Sequence, residues 1–160
     1  MRSTPSLLMT VLLFCSTLTV ANASSSLDDV LNMKTTPDGV VIEIVTGDAK
    51  ALDWALPKAQ QYIKKLQHRF PDLHIAIVTH GNEQFALQKS KQGKKKKVHK
   101  ITKSLVSKGV ALHVCGTHAG WKGVSEEDFP DYVDVATAAP AQINDYRSLG
   151  YELIVIDSPD

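Results

Sequence analysis

Cysteine is scarce in this sequence, and the scarcity limits the chemistry open to it. The 160 residues contain two cysteines, and Cys15 lies in an N-terminal apolar run that we expect to be removed. A chain left with Cys115 alone cannot form an internal disulfide, and it cannot carry out the Cys-x-x-Cys exchange of thioredoxin-type proteins. The mature protein must therefore be held together by its apolar core, with Cys115 as a free thiol.

The N-terminal run has the pattern of a signal peptide. Arg2 supplies a positive charge, and residues 7–20 form an apolar run broken only by Thr and Ser. An Ala-Asn-Ala sequence then places small residues where a signal peptidase reads, so cleavage after Ala23 is predicted. The run is shorter than the roughly 20 residues that a membrane-spanning helix needs. We therefore expect residues 1–23 to be a cleaved signal peptide and the mature protein to be periplasmic or secreted.

The rest of the chain is predicted to be a flexible leader followed by one α/β domain. Residues 24–39 are polar and contain a proline and a glycine, which favours a leader. Over residues 40–160, β-branched runs alternate with segments of helical periodicity. The predicted strands cover residues 40–45, 73–79, 110–115, 132–136 and 151–156. This alternation indicates a three-layer α/β/α fold with a five-stranded, mostly parallel sheet and right-handed crossovers.

Acidic residues are missing from the stretch between Gln84 and Ser125. The same stretch holds ten lysines: Lys89, Lys91, Lys94, Lys95, Lys96, Lys97, Lys100, Lys103, Lys108 and Lys122. The four consecutive lysines follow Gly93, which favours a solvated loop over residues 89–97. Docking to an acidic partner or to an anionic membrane surface is the less favoured alternative. Nucleic acid is not a predicted partner, because no aromatic residues are interleaved and the chain is expected to be exported.

The charge balance of the whole mature chain is neutral. Loss of Arg2 lowers the number of Lys and Arg residues from 18 to 17, which equals the 17 acidic residues. The lysine-rich stretch is therefore a local feature of one segment.

The predicted functional site lies where three strands end. In a doubly wound sheet, ligands bind outside the carboxyl ends of the strands. Cys115 is the last residue of its predicted strand, and Gly116 lets the backbone turn sharply, which brings N–H groups near the sulfur and favours the thiolate. We therefore predict Cys115 as the reactive residue, with Gly116, Thr117, His118 and His80 as binding residues. This chemistry needs no cofactor.

Two alternatives to a reactive thiol remain open from the sequence. The His-x-Cys-x-x-His pattern of His113, Cys115 and His118 supplies three soft or borderline ligands, which suit Cu or Zn. Structural zinc sites, however, generally draw on two separated ligand pairs. Cys115 can also be a small buried hydrophobe, and the protein would then be a non-catalytic oligomeric binding module.

Three stretches of the domain resemble the DsrE/DsrF-like family. Residues 109–115, Gly-Val-Ala-Leu-His-Val-Cys, lead into a turn that ends at Gly123 and then into an acidic helix start. Residues 40–51 run from a strand into Thr-Gly-Asp. Residues 133–156 contain a proline-led helix and a Leu-Gly-Tyr sequence before the last strand. The resemblance extends from about residue 40 onward, in the order of the elements as well as in these motifs.

The resemblance implies a fold, an assembly and a function. It implies a small α/β domain that forms homo- or hetero-oligomers, often trimers or hexamers. It also implies a role in intracellular sulfur oxidation or sulfur relay, with sulfur donor and acceptor proteins as partners. In active members, one cysteine at the end of this strand carries sulfur as a persulfide, and Cys115 occupies that position. The signal peptide would make this chain an exported member.

Overall fold

A five-stranded parallel sheet organises the chain. The computed structural model describes residues 23–157, so Cys15 and the predicted signal peptide up to residue 22 lie outside the described residues. The strands are β1 (Gly39–Ile44), β2 (Ile75–Thr79), β3 (Ala111–Cys115), β4 (Asp134–Ala136) and β5 (Tyr151–Ile156). Their order is β4-β3-β2-β1-β5, and all neighbours are parallel. The predicted α/β fold is confirmed.

Helices cover both faces of this sheet. They are α1 (Leu27–Leu31), α2 (Leu52–Arg69), α3 (Lys96–Val106), α4 (Gly116–Trp121) and α5 (Ala139–Ser148), with 3₁₀ turns at Asn82–Leu87, Lys89–Lys91 and Glu126–Asp128. The chain steps from β1 to β4 in one direction, so right-handed crossovers put α2 and α3 on one face. The helix α5 returns from β4 to β5 across the other face. No helix within residues 23–157 is long and apolar enough to cross a membrane.

Most of the core lies on the α2–α3 face, the face that the helices α2 and α3 cover. Successive strand residues point to opposite faces, and the inward set on this side is apolar apart from Thr79 at the end of β2. It includes Ile42, Ile77, Leu112 and Ile154, which pack against buried α2 residues such as Leu56. All five are 2% exposed or less. Burying each such side chain contributes about 1.5–3 kcal/mol to the free energy of unfolding, so this face supplies most of the stabilising burial.

The predicted flexible leader over residues 24–39 is wrong, because this segment packs on the domain. The helix α1 begins with a capping box in which Ser26 and Asp29 satisfy each other's backbone N–H groups. Val30 is fully buried in the core. The N–H of Ser25 also donates to the Leu153 carbonyl at 2.7 Å. Apolar residues at helical spacing, behind a good cap, are enough to dock this short helix.

Two other predicted loops are partly helical. The glycine-bearing turn after Cys115 is the helix α4, which begins at Gly116. The loop predicted over residues 89–97 contains a 3₁₀ turn and the first two residues of α3. The apolar stripe of α3, with Val98 and Leu105 buried, extends the helix back into the lysine run. Lys95 just before it bonds Asp53 at 2.7 Å.

Candidate functional site

A pocket of about 310 Å³ opens at the carboxyl ends of β2 and β3. Its lining consists of His80, Cys115, Thr117, His118, Trp121, Ala138 and Pro140. The first follows β2, the next four belong to β3 and α4, and the last two belong to the start of α5. The structure therefore brings four of the five predicted site residues to one cavity. The fifth, Gly116, does not line the cavity but lies between Cys115 and Thr117 in the chain.

Cys115 joins β3 to α4 and has a polar contact on each side. It is 6% exposed. Its sulfur accepts a hydrogen bond from the backbone N–H of His118 at 3.5 Å, as the N-cap of α4. Its own N–H donates to Oε1 of Gln84 at 2.7 Å. An N–H aimed at sulfur is complementary to a thiolate, the form of cysteine that acts as a nucleophile.

Thr117 lines the pocket, and Gly116 precedes it at the start of α4. A Cβ at Gly116 would lie 3.1 Å from the Ala136 carbonyl oxygen and 3.1 Å from Cγ1 of Val135, so a side chain here would require these β4 atoms to shift by a few tenths of an ångström. The N–H and the hydroxyl of Thr117 both donate to the Thr137 carbonyl, at 3.0 and 2.7 Å. These bonds fasten α4 to the segment before α5, and they occupy the Thr117 hydroxyl. Both residues therefore hold the pocket in shape.

His118 is oriented by the backbone of the neighbouring strand end. Its Nδ1 lies 2.8 Å from the carbonyl oxygen of His80. Because a carbonyl only accepts, Nδ1 carries a proton. The ring also meets Phe85 edge-on at 5.3 Å and lies 6.1 Å from the ring of Trp121, between centroids. Trp121 is 79% exposed, so it forms an open apolar rim beside the pocket.

His80 is paired with a carboxylate that sequence reasoning missed. Its Nε2 lies 2.7 Å from Oε1 of Glu43, and the two side chains are 17% and 18% exposed. Glu43 sits in β1, on the face that α5 covers. The signal in the sequence was one charged residue within the otherwise apolar run of residues 40–45.

Two consecutive buried residues, Glu83 and Gln84, anchor the strand ends that carry His80 and Cys115. Both are fully buried. The Glu83 carboxylate accepts from the Thr79 hydroxyl at 2.6 Å and from the N–H of Gly81 at 2.8 Å. It also accepts from the N–H of Thr46 at 2.9 Å.

Gln84 holds the other strand end. Its Oε1 accepts from the N–H of Cys115, and its Nε2 has no partner among the described residues. Sequence reasoning missed both anchors, because a short polar pair before Phe85 gives no periodic signal. Together they fix the two sides of the pocket relative to each other.

His113 lies outside the pocket, which corrects the alternative metal site. Its Nε2 lies 2.8 Å from the Tyr146 hydroxyl, and its Nδ1 lies 3.9 Å from Asp134. Burial lowers the pKa of His113, and the Asp134 carboxylate opposes this only in part. Within residues 23–157, no three His, Cys, Asp or Glu side chains could share one metal ion. The set of His113, Cys115 and His118 is therefore not assembled, because α4 turns His118 toward the end of β2.

Comparison with known proteins supports the fold of this chain. No family model matches the sequence, and neither does any curated protein. Among solved structures, MTH1491 of Methanobacterium thermoautotrophicum, a protein of unknown function, superposes with a TM-score of 0.60 at 17% identity. The match covers 73% of this chain and 97% of that one.

The ychN protein of E. coli gives the same picture. It superposes with a TM-score of 0.55 at 14% identity, over 74% of this chain and 99% of that one. These neighbours have the DsrE/DsrF-like fold. At such low identity the likeness shows that this chain has that fold, and it carries no information about activity.

Proposed function

We propose that this protein is a sulfur carrier in which Cys115 accepts sulfane sulfur and passes it to an acceptor protein. One observation carries the proposal: a free thiol ends a parallel strand, opens into a pocket of about 310 Å³ and accepts an N–H bond at its sulfur. The carboxyl ends of parallel strands are where such folds bind ligands. The resemblance to the DsrE/DsrF-like family supports the same role.

The reaction is an exchange at sulfur and needs no cofactor. The Cys115 thiolate attacks the outer sulfur of a donor R–S–SH, forming a new S–S bond while the donor's own S–S bond breaks and its R–S bond stays intact. The donor leaves as the thiolate R–S⁻, which takes up the proton that the Cys115 thiol released and becomes R–SH, and Cys115 becomes the persulfide Cys–S–SH. The oxidation level lost by the donor equals that gained by Cys115, so no external oxidant or reductant is consumed.

Export and self-association belong to the same proposal. The signal-peptide pattern of residues 1–23 supports a carrier that works in the periplasm or outside the cell. The family resemblance supports a homo-oligomer, a trimer or a hexamer. Two large exposed apolar side chains, Trp121 at 79% and Leu149 at 67%, are candidates for contacts between copies.

The test is intact mass spectrometry of the mature protein after brief exposure to polysulfide. We expect the wild type to gain whole sulfur atoms that are lost on reduction. The matched control is Cys115→Ser, which removes the one thiol of the mature chain and should gain none. A wild type that keeps an intact thiol and gains no sulfur would sink the carrier function.

The low exposure of Cys115, 6%, favours a second candidate, a binding module in which the thiol is only packed. Alkylation of the native protein with a small and a bulky reagent separates the two. A carrier thiol reacts with the small reagent at a rate near that of the urea-unfolded chain. A packed thiol reacts slowly with both reagents until the protein unfolds.

A further inference from the structure

We infer that Glu43 and His80 form a proton-accepting pair that serves Cys115, so that the three residues act as a Cys-His-Glu relay. The inference rests on the proposed function of Cys115, and it adds two residues that do chemistry at the same site. The pairing of a nucleophile, a base and a group that orients the base is the general arrangement by which enzymes activate a thiol.

The strand register places His80 beside Cys115. In the ladder between β2 and β3, Thr79 pairs with Val114. His80 follows Thr79, and Cys115 follows Val114, so the two residues lie at neighbouring positions. Because side chains alternate along a strand, both point to the same face. Both line the same pocket. A base and a thiol at neighbouring strand ends, facing one cavity, can exchange a proton directly or through a water molecule.

Glu43 reaches His80 from the other side of β2. It pairs with Val78 across the β1–β2 ladder, so it faces the same side of the sheet as His80. Its Oε1 lies 2.7 Å from Nε2 of His80. An ionised carboxylate only accepts a hydrogen bond, so Nε2 carries a proton, and in the neutral form of the ring Nδ1 keeps the lone pair. The carboxylate thus fixes the ring and compensates the charge of the imidazolium that forms when Nδ1 takes a proton.

The other histidines nearby are engaged differently. His118 donates Nδ1–H to the His80 carbonyl and its backbone N–H to the Cys115 sulfur, so it positions the thiol. No carboxylate pairs with it among the described residues. His113, two residues before Cys115, bonds Tyr146. His80 is therefore the one pocket histidine with an orienting carboxylate.

The charged and titratable groups on the α5 face come from each element around the pocket, and His113, Asp134 and Tyr146 among them lie outside the pocket itself. β1 contributes Glu43, and β3 contributes His113, whose pKa is lowered by burial, so it is neutral at neutral pH. α4 contributes His118. β4 contributes Asp134, which lies beside His113, and α5 contributes Tyr146, whose pKa is raised by burial so that it stays neutral too.

The relay moves one proton and returns it. The Cys115 thiol gives its proton to Nδ1 of His80, which leaves a thiolate and an imidazolium held by the Glu43 carboxylate. The thiolate attacks the outer sulfur of the donor, and the departing thiolate R–S⁻ takes the proton back from Nδ1. The products are the Cys115 persulfide, R–SH and neutral His80, so atoms and charge balance.

The experiment measures the rate of Cys115 alkylation by iodoacetamide at pH 6.5 and pH 9.5. We expect His80→Gln and Glu43→Gln to react about tenfold slower than wild type at pH 6.5 and at nearly the wild-type rate at pH 9.5. Loss of the base lowers the thiolate fraction at pH 6.5 alone, whereas loss of access to the thiol would slow the reaction at both pH values. The control, His113→Gln, lies on the same face outside the pocket and should behave as wild type at both values. Equal slowing at both pH values, or none, would overturn the relay.

Two further comparisons keep the outcome decisive. The wild type itself is compared with its urea-unfolded form, and the ratio of the rates at pH 6.5 and 9.5 must be higher in the folded protein. A folded ratio no higher than the unfolded one overturns the relay even if the variants do not fold. Polysulfide loading is scored separately. A pH-selective thiol that gains no sulfur keeps the relay and sinks the carrier function, whereas full loading of His80→Gln at pH 6.5 does the reverse.

Discussion

The two faces of the sheet use the same five strands but carry different side chains. On the α2–α3 face, most of the strand residues that point inward are aliphatic, such as Ile42 and Ile77, and two helices cover them. On the α5 face, a single helix of ten residues covers a small apolar cluster that includes Val41 and Val78. The strands and strand ends also place polar side chains on the α5 face: Glu43, His80, His113 and Cys115.

The α2–α3 face therefore supplies most of the stability, and the α5 face carries the candidate site. Most of the strand side chains on the α2–α3 face are buried under two helices, and an unpaired polar group there would cost about 1–3 kcal/mol. The α5 face is covered only in part, so polar groups at the strand ends reach a cavity. Parallel strands allow this division, because each residue is assigned to one face by its parity alone. Substitutions on the two faces should therefore have separable effects.

The largest expected effect lies at the edge where the two faces meet. Glu83→Ala removes the acceptor of three buried or half-buried donors, from Thr79, Gly81 and Thr46. Each orphaned donor costs about 1–3 kcal/mol, so the free energy of unfolding should fall by about 3 kcal/mol or more. His80 lies between Thr79 and Gly81 in the chain, so its position should change too. The rate of Cys115 alkylation at pH 6.5 should therefore fall relative to the rate at pH 9.5. Urea denaturation and alkylation at pH 6.5 and pH 9.5 measure the two effects.

Glu83→Gln is the matched comparison for this prediction. One amide oxygen can still accept two of the three hydrogen bonds, so its loss of stability should be smaller than that of Glu83→Ala. If Glu83→Ala unfolds in urea like the wild type, the carboxylate does not hold the two strand ends. Glu83 would then not connect the stability of the fold to the geometry of the site.

A core substitution on the α2–α3 face should affect stability alone. Ile77 is fully buried in the central strand β2, and Ile77→Ala should lower the free energy of unfolding by about 2–5 kcal/mol. The side chain points away from the pocket, so alkylation of the folded protein should keep the wild-type rate at pH 6.5 and pH 9.5. Urea denaturation and the alkylation assay, under conditions where the variant is folded, provide both readouts. A pH-selective loss like that expected for His80→Gln would refute the separation of the faces.

The strands of the sheet and the position of Cys115 at the end of β3 could be predicted from local sequence patterns. Strand β5 was predicted at residues 151–156 and lies at Tyr151–Ile156, and β3 ends at Cys115 as expected. β-Branched runs between turn residues carry that information within a few residues of sequence. The helix α4 was missed because Gly116 and its neighbours have low helix propensity. The Cys115 cap and the bonds of Thr117 to the next connection supply what the local sequence lacks.

The partners of the site residues were not predictable in the same way. Glu43 contacts His80 because β1 pairs with β2 in one particular register, and that register cannot be predicted from the sequence of either strand alone. Gln84 reaches Cys115 across 31 residues of sequence. His113 looked like a ligand because of its spacing from Cys115, yet its partner Tyr146 is 33 residues away. Positions at strand ends can be derived from pattern, whereas contacts between elements require the fold.

The smallest expected effect compares one histidine from each side of the sheet as the pH falls. Burial lowers the pKa of His99, which lies on α3, and of His113, which lies on β3 and faces α5. The unfolded chain therefore takes up protons near pH 6.5 while the folded chain does not. The stability that these neutral rings give is present above about pH 6.5 and is lost as the pH falls toward their lower folded values, with a slope of up to about 1.4 kcal/mol per pH unit for each.

Urea denaturation at pH 7.5 and pH 5.5 measures this loss in the wild type, in His99→Gln and in His113→Gln. Each substitution should make the free energy of unfolding less dependent on pH, because one group that binds protons only when unfolded is gone. The exposed His68 is the control, and His68→Gln should keep the wild-type dependence. If His99→Gln flattens the profile and His113→Gln does not, then Asp134 offsets the effect of burial on the α5 face. The polar surroundings of that face would then favour charge, as a thiolate site requires.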